Sequence, residues 1–306
     1  MRALPKKPKS RLLRKEARAA YIYLIPAFIG LIVLTYVPLV AVFGLSFFKW
    51  GGTGVPEWVG LGNYIKLFTS DPYFTESVKV TIYFSLLAVI GSMIYSLVIA
   101  LLLNRNIPAR GFFRAVFYLP YVLPATAVYI GWSWLYNTEW GLFNYILSKL
   151  GIERLMFVSS SSQVVPSLAL IAVWLSGNLI VIFLAGLQNV PRVYHEAAQI
   201  DGANSWQRFW NVTIPSMTPI IFYNMLMALI TNMQVVTPAL ALTKGGPGKS
   251  SYFISYMLYN YAFKQRGKLG LACAIAFVLF LLIGAFTLIL FATSKSWIFY
   301  EGGENK

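Results

Sequence analysis

Few side chains in this 306-residue sequence are placed for acid–base, metal or phosphate chemistry. The ten acids are Glu16, Glu57, Asp71, Glu76, Glu139, Glu153, Glu196, Asp201, Glu301 and Glu304, and all fall outside the long apolar runs. No pair of carboxylates therefore stands in an apolar setting that would hold one protonated as a general acid. The same placement argues against proton relays, which need acids or His within the bilayer. The lone His195 has no Cys or clustered carboxylates for company and reads as a loop residue, not a metal ligand. Gly248-Lys249-Ser250 ends like a phosphate-binding loop, but that pattern needs a glycine where Thr243 stands and a preceding strand. The single Cys273 excludes an internal disulfide and a multi-Cys metal site. What remains is a set of neutral polar groups inside apolar runs. One set is Trp174, Ser176 and Asn178 in WLSGNL; the other is Asn224, Thr231, Asn232 and Gln234. Amides and hydroxyls at membrane depth are costly unless paired, so they face another helix or a water-filled cavity. At about 100° per residue, Asn224, Thr231 and Asn232 share one helix face.

The elements that position these groups follow from composition. Hydrophobic residues make up 58% of the chain and charged residues 11%, against about 25% charged in ordinary soluble domains. A soluble enzyme and a disordered regulator are excluded. Six windows free of Asp, Glu, Lys and Arg are long enough to cross a bilayer: 19–48, 80–104, 115–138, 155–191, 209–243 and 269–294. They predict an all-α polytopic bundle with helices at 21–48, 79–103, 113–136, 165–187, 214–242 and 269–293. Pro38, Pro120, Pro124, Pro219 and Pro238 inside these spans predict kinks, not breaks. The aromatic run 250–263 is too short to span and suits an interfacial helix.

The net charge of +15 does not read as a nucleic-acid groove, because 8 of the 25 Lys and Arg precede residue 19 and the rest sit in short loops. Basic segment 1–20 resembles the start of a signal peptide, but its apolar run is too long and lacks a small-residue cleavage site, so it reads as leading into an uncleaved first helix. Fifteen of the 25 Lys and Arg lie on the side holding the N-terminus, loops 104–114 and 188–213, and the 295–306 tail. That side is expected to be cytoplasmic. The five basic residues of the 244–268 loop (Lys244, Lys249, Lys264, Arg266 and Lys268) run against this bias.

The 188–213 loop, QNVPRVYHEAAQIDGANSWQRFWNVT, is the most specific signal. Pro191 suits the start of a short helix over RVYHEAAQI, Asp201-Gly202 marks a turn, and Asn204 or Ser205 can cap a second helix carrying Trp206, Phe209 and Trp210. The product is an elbow displaying small Ala197 and Ala198 beside Glu196, so another surface can approach closely and pair with a charge.

Glu196-Ala197-Ala198, three residues, Gly202, nine residues and Val212-Thr213-Ile214-Pro215 resemble the EAA loop of ABC-importer permeases, with Val212 and Ile214 as volume-conserving departures. The stretch ALALTKGGPG (239–248), GLGNY (60–64) and the six-span layout resemble the maltose-type, UgpA-like carbohydrate permeases, over residues 20–294. The resemblance implies a type I importer permease fold, domain 21–294, cytoplasmic termini and a prokaryotic cell membrane. It further implies that Glu196, Ala197, Ala198, Asp201 and Gly202 form a coupling segment for a separate ABC ATPase dimer, which uses ATP and Mg while this chain binds no cofactor. A second permease subunit and an extracytoplasmic solute-binding protein complete the assembly. Sugar contacts are implied for span four (Trp174, Ser176, Asn178) and mid-span five (Thr231, Asn232, Gln234). An ion-coupled secondary transporter is the alternative; sodium coupling through backbone carbonyls stays compatible with the residues.

Overall fold

Where no water is present, a helix satisfies each backbone N–H and C=O within its own segment, and the charge-free windows fold accordingly. The computed structural model describes residues 11–265 and 267–299. The first span comprises α1 (Arg11–Leu31), a π-helical turn (Ile32–Tyr36) and α2 (Val37–Leu45). Beyond it lie a short antiparallel hairpin, β1 (Phe48–Lys49) with β2 (Glu57–Trp58), and α3 (Gly62–Thr69). Asn63 of the GLGNY stretch ties these together, its amide donating to Ser46 O at 2.8 Å and Phe48 O at 2.9 Å. Then follow α4 (Phe74–Asn104), α5 (Arg110–Val122), α6 (Ala125–Leu135), α7 (Leu142–Lys149), α8 (Val164–Trp174) and α9 (Gly177–Asn189). After these come α10 (Arg192–Ile200), α11 (Ser205–Arg208), α12 (Ile214–Met233), α13 (Ile254–Tyr259) and α14 (Leu269–Ser294). Most of the basic N-terminus and tail expected on the cytoplasmic side (residues 1–10 and 300–306) lies outside the described residues, as does Arg266.

Four continuous helices are long and apolar enough to cross a membrane, and two bent pairs raise the number to six. The first pair corrects the expectation that Pro124 only kinks its span. Between α5 and α6 the axis turns by 100°. Leu123 is extended there (φ −68°, ψ 145°), as the residue before a proline prefers. The break lets Val128, Tyr129 and Trp132 of α6 enter the main core. Between α8 and α9 the bend is 48°. The fifth span is also shifted: it runs from Ser205 through a π-helical turn (Phe209–Thr213) to Met233, not to 242. Pro238 instead opens a separate π-helical turn, Ala239–Thr243. The 250–263 segment does contain a helix, but Tyr252, Phe253, Ile254, Tyr256 and Met257 are buried in the core instead of lying at a lipid interface.

Helix α4 is the hub, packing against α8, α9 and α12. Its inner face carries Ser85, Ala88, Ser92, Ser96 and Ala100, all buried. Small residues let helices approach closely where van der Waals packing, not water exclusion, holds them together. One such close approach is at Gly177, where a Cβ would stand 2.9 Å from Phe117 O and 3.1 Å from Tyr118 Cα of α5.

Candidate functional site

Two arrangements stand out: a tightly specified elbow at one end of the bundle and a polar cavity at the two bends.

The elbow begins at Pro191, the N-cap of α10. At the other end, Gly202 N donates to Gln199 O at 3.1 Å and Ala203 N to Ala198 O at 2.9 Å, with Gly202 at φ +80°. This pair of bonds is a Schellman closure, which favours glycine at its left-handed position. One residue later, Asn204 and Gln207 form a reciprocal capping box at 2.9 and 2.8 Å that starts α11. Arg208 braces the turn by donating to Gln199 Oε1 at 3.3 Å. Since α11 runs on into α12, the elbow is continuous with the fifth span. Glu196, Ala197, Asp201 and Gly202 are exposed and Ala198 is half-buried. Ile200 is 86% exposed, an unusual position for a large aliphatic side chain on a polar loop. Glu196 is in no ion pair; those among the described residues are Lys49–Glu57 and Lys79–Glu76. Trp206, Phe209 and Trp210 form a ring cluster with centroids 5.2 to 6.1 Å apart, and the two Trp remain exposed.

The second arrangement is a cavity of about 380 Å³. The bends of both broken spans open onto it, and it brings together Ser176, Asn178, Thr231 and Asn232. The Asn232 amide donates to Ala228 O at 2.8 Å, which leaves its Oδ1 free among the described residues. Ser176 is the most constrained, its hydroxyl donating to Val173 O at 2.7 Å and lying 2.9 Å from the Ser96 hydroxyl. Trp174 and Gln234 are not part of the lining. The Trp174 ring packs edge-on against Trp132 at 5.5 Å, and Gln234 is the exposed C-cap of α12. Asn224 is buried between spans, donating to Leu179 O at 3.4 Å, and is an interhelical tie. Residues that sequence reasoning missed are Ser92, Tyr121 and Tyr129, which also line the cavity. Their signals are the serine stripe of α4 and the aromatics around the Pro120–Pro124 break. Among the described residues, no charged side chain lines the cavity.

A multi-pass helical bundle with a neutral polar cavity and an exposed, tightly hydrogen-bonded elbow fits a membrane transport subunit. Residues 92–295 match the family described as binding-protein-dependent transport system inner membrane component, and the chain belongs to that family. It is 37% identical over 300 residues to the probable ABC transporter permease protein YesP of Bacillus subtilis, covering 97% of this chain and 96% of that one. It is 34% identical to the multiple sugar-binding transport system permease protein MsmF of Streptococcus mutans, covering 90% and 94%. The trehalose/maltose transport system permease protein MalF of Thermococcus litoralis is 31% identical, covering 92% and 95%. Among solved structures, a bacterial ABC transporter that imports the acidic polysaccharide alginate shares the fold at TM-score 0.78 and 21% identity, covering 94% and 99%. The chain is thus a permease subunit of an ABC importer, as the sequence predicted.

Proposed function

We propose that this chain forms half of the path by which a neutral carbohydrate crosses the membrane, received from an extracytoplasmic binding protein and shared with a second permease subunit. Work comes from Mg-dependent ATP hydrolysis by a separate ATPase dimer, which engages the exposed face of α10 at Glu196, Ala197, Ala198, Asp201 and Gly202. The elbow carries that movement directly into α12 because no flexible joint separates them. With the elbow cytoplasmic, the termini lie on the same side and the 244–268 loop faces outward.

The observation that carries the substrate class is the cavity lining. Ser176, Asn178, Thr231 and Asn232 offer neutral donors and acceptors, Tyr121 and Tyr129 offer ring faces, and no cation is present to hold an acidic group. Its volume, about 380 Å³, lies at the small end of the roughly 300–1,000 Å³ of small-molecule sites. Trp174 and Gln234, expected from the resemblance to contact sugar, support the site only from outside its lining.

Transport KM and melting temperature, measured on the same purified complexes, test this reading. One neutral hydrogen bond is worth roughly 0.5–1.5 kcal/mol, so Asn232→Leu should raise KM about two- to twelvefold with assembly and basal ATPase activity intact. Ser176→Ala should act in the same direction but also lower the melting temperature, because Ser176 ties α9 to Ser96. An unchanged KM in both variants would move the sugar site out of this subunit.

A further inference from the structure

The elbow end of the bundle gathers several basic side chains. Arg105 at the C-cap of α4, His195 of α10 and Arg208 of α11 line one open cavity of about 730 Å³. His195 also lines a neighbouring cavity of about 480 Å³, with Arg192 and with Arg110, which itself donates to Leu103 O at 2.6 Å and Asn104 O at 3.3 Å. No acid lines either cavity, and none of these arginines appears in an ion pair among the described residues. Arg208 has only neutral partners, Gln199 Oε1 at 3.3 Å and Ser205 Oγ at 3.2 Å, and its Nε is buried without an acceptor. Nε and Nη2 of Arg114, one turn along α5 from Arg110, are likewise buried and unpartnered. A charged donor left in this state loses its hydration with no return, so an acceptor from outside the chain is expected.

The rest of the larger cavity says what kind of molecule brings it. Leu101, Phe209 and the exposed Trp206 form an apolar wall beside the arginines, at the level where two spans end. Basic groups beside an apolar wall at a span end match the two halves of a phospholipid, and exposed Trp is the side chain favoured at headgroup depth. Arginine forks fit phosphate oxygens two at a time.

We propose that Arg105, Arg208 and His195 hold the phosphate of an anionic phospholipid of the cytoplasmic leaflet, with its chain against Leu101 and Trp206. The bound lipid bridges the end of α4 to the elbow and so stiffens the element through which ATP hydrolysis is felt. This inference rests on the cytoplasmic placement of the elbow, which cysteine labelling tests separately.

The experiment uses the full transporter complex in nanodiscs of phosphatidylcholine with increasing phosphatidylglycerol. Native mass spectrometry reads retained lipid, and solute-stimulated ATP hydrolysis is measured in parallel. Wild type should retain phosphatidylglycerol selectively, and stimulation should rise with its fraction. Arg105→Gln/Arg208→Gln should weaken retention about 30-fold, equivalent to about 1 kcal/mol for each arginine near an anionic surface. Arg105→Lys/Arg208→Lys, which keeps charge but not the fork, should fall between. A photoreactive phosphatidylglycerol in the wild-type complex should form adducts at Leu101 or Trp206, a readout independent of whether the variants assemble. Three results would overturn the proposal: adducts only elsewhere, restoration of stimulation by inorganic phosphate alone in phosphatidylcholine discs, or loss of the ATPase from the glutamine variant with lipid retention unchanged. The second would mark a free-anion site and the third an acidic group of the ATPase.

Discussion

Replacing Gly202 by Asn, Ala, Val and Pro separates the two reasons a glycine can be needed between α10 and α11. Its φ of +80° is left-handed, which costs a residue bearing a β-carbon about 1–2 kcal/mol, with Asn the best tolerated. A Cβ built at this position meets nothing within 4 Å, so no steric penalty arises inside the chain. If only the backbone matters, Asn should retain most coupling, Ala should lose up to about fivefold and Val up to about thirtyfold, the equilibrium ratios for 1 and 2 kcal/mol. Pro should abolish coupling, since its fixed negative φ is incompatible with the turn and it lacks the N–H given to Gln199 O. The assay is solute-stimulated ATP hydrolysis titrated with the ATPase subunit, with uptake measured alongside. If Gly202 is instead needed for close approach of the partner, Asn should be as damaging as Val. Normal stimulation in the Val and Pro variants would refute the claim that this closure transmits force.

Two further outcomes are expected. Glu196→Lys should abolish stimulated hydrolysis and uptake while leaving membrane insertion intact, and Glu196→Gln should reduce both only in part; equal activity in all three forms would show that the exposed carboxylate pairs with nothing. In a Cys273→Ala background, single cysteines at Ser205 and Ser250 should react with impermeant reagents from opposite sides of the membrane, Ser250 from outside. Labelling of both from one side would break the six-span arrangement.

The elbow was legible almost to the residue because its signals are local: a proline start, an Asp-Gly turn and an Asn or Ser cap lie within a few positions of one another, though the Asn204–Gln207 capping pair appeared only in the structure. The long apolar helices were equally legible, since they depend only on where charge is absent: four continuous helices and two bent pairs are long and apolar enough to cross a membrane. The breaks were not. Pro120 lies within α5 and is tolerated, whereas Leu123-Pro124 turns the chain by 100°, and both sit in similarly apolar sequence. What distinguishes them is tertiary: past the second, Val128, Tyr129 and Trp132 find the main core. The cavity was half legible for the same reason. Asn178, Thr231 and Asn232 announce themselves as polar groups in apolar runs, but Trp174 also looks suited to a sugar and instead packs on Trp132. Tyr121 and Tyr129 reach the cavity only because the third span is broken.

Cross-linking from the elbow face tests the central claim most directly. A cysteine at Ala197 in the Cys273→Ala background, carrying a short photoreactive group, should form an adduct with the ATPase subunit in the assembled complex. Photolysis should then stop both sugar uptake and solute-stimulated hydrolysis. An actively transporting complex that yields no ATPase adduct at this position, or that transports undiminished after the adduct forms, would contradict the assignment of α10 as the element through which ATP hydrolysis drives transport.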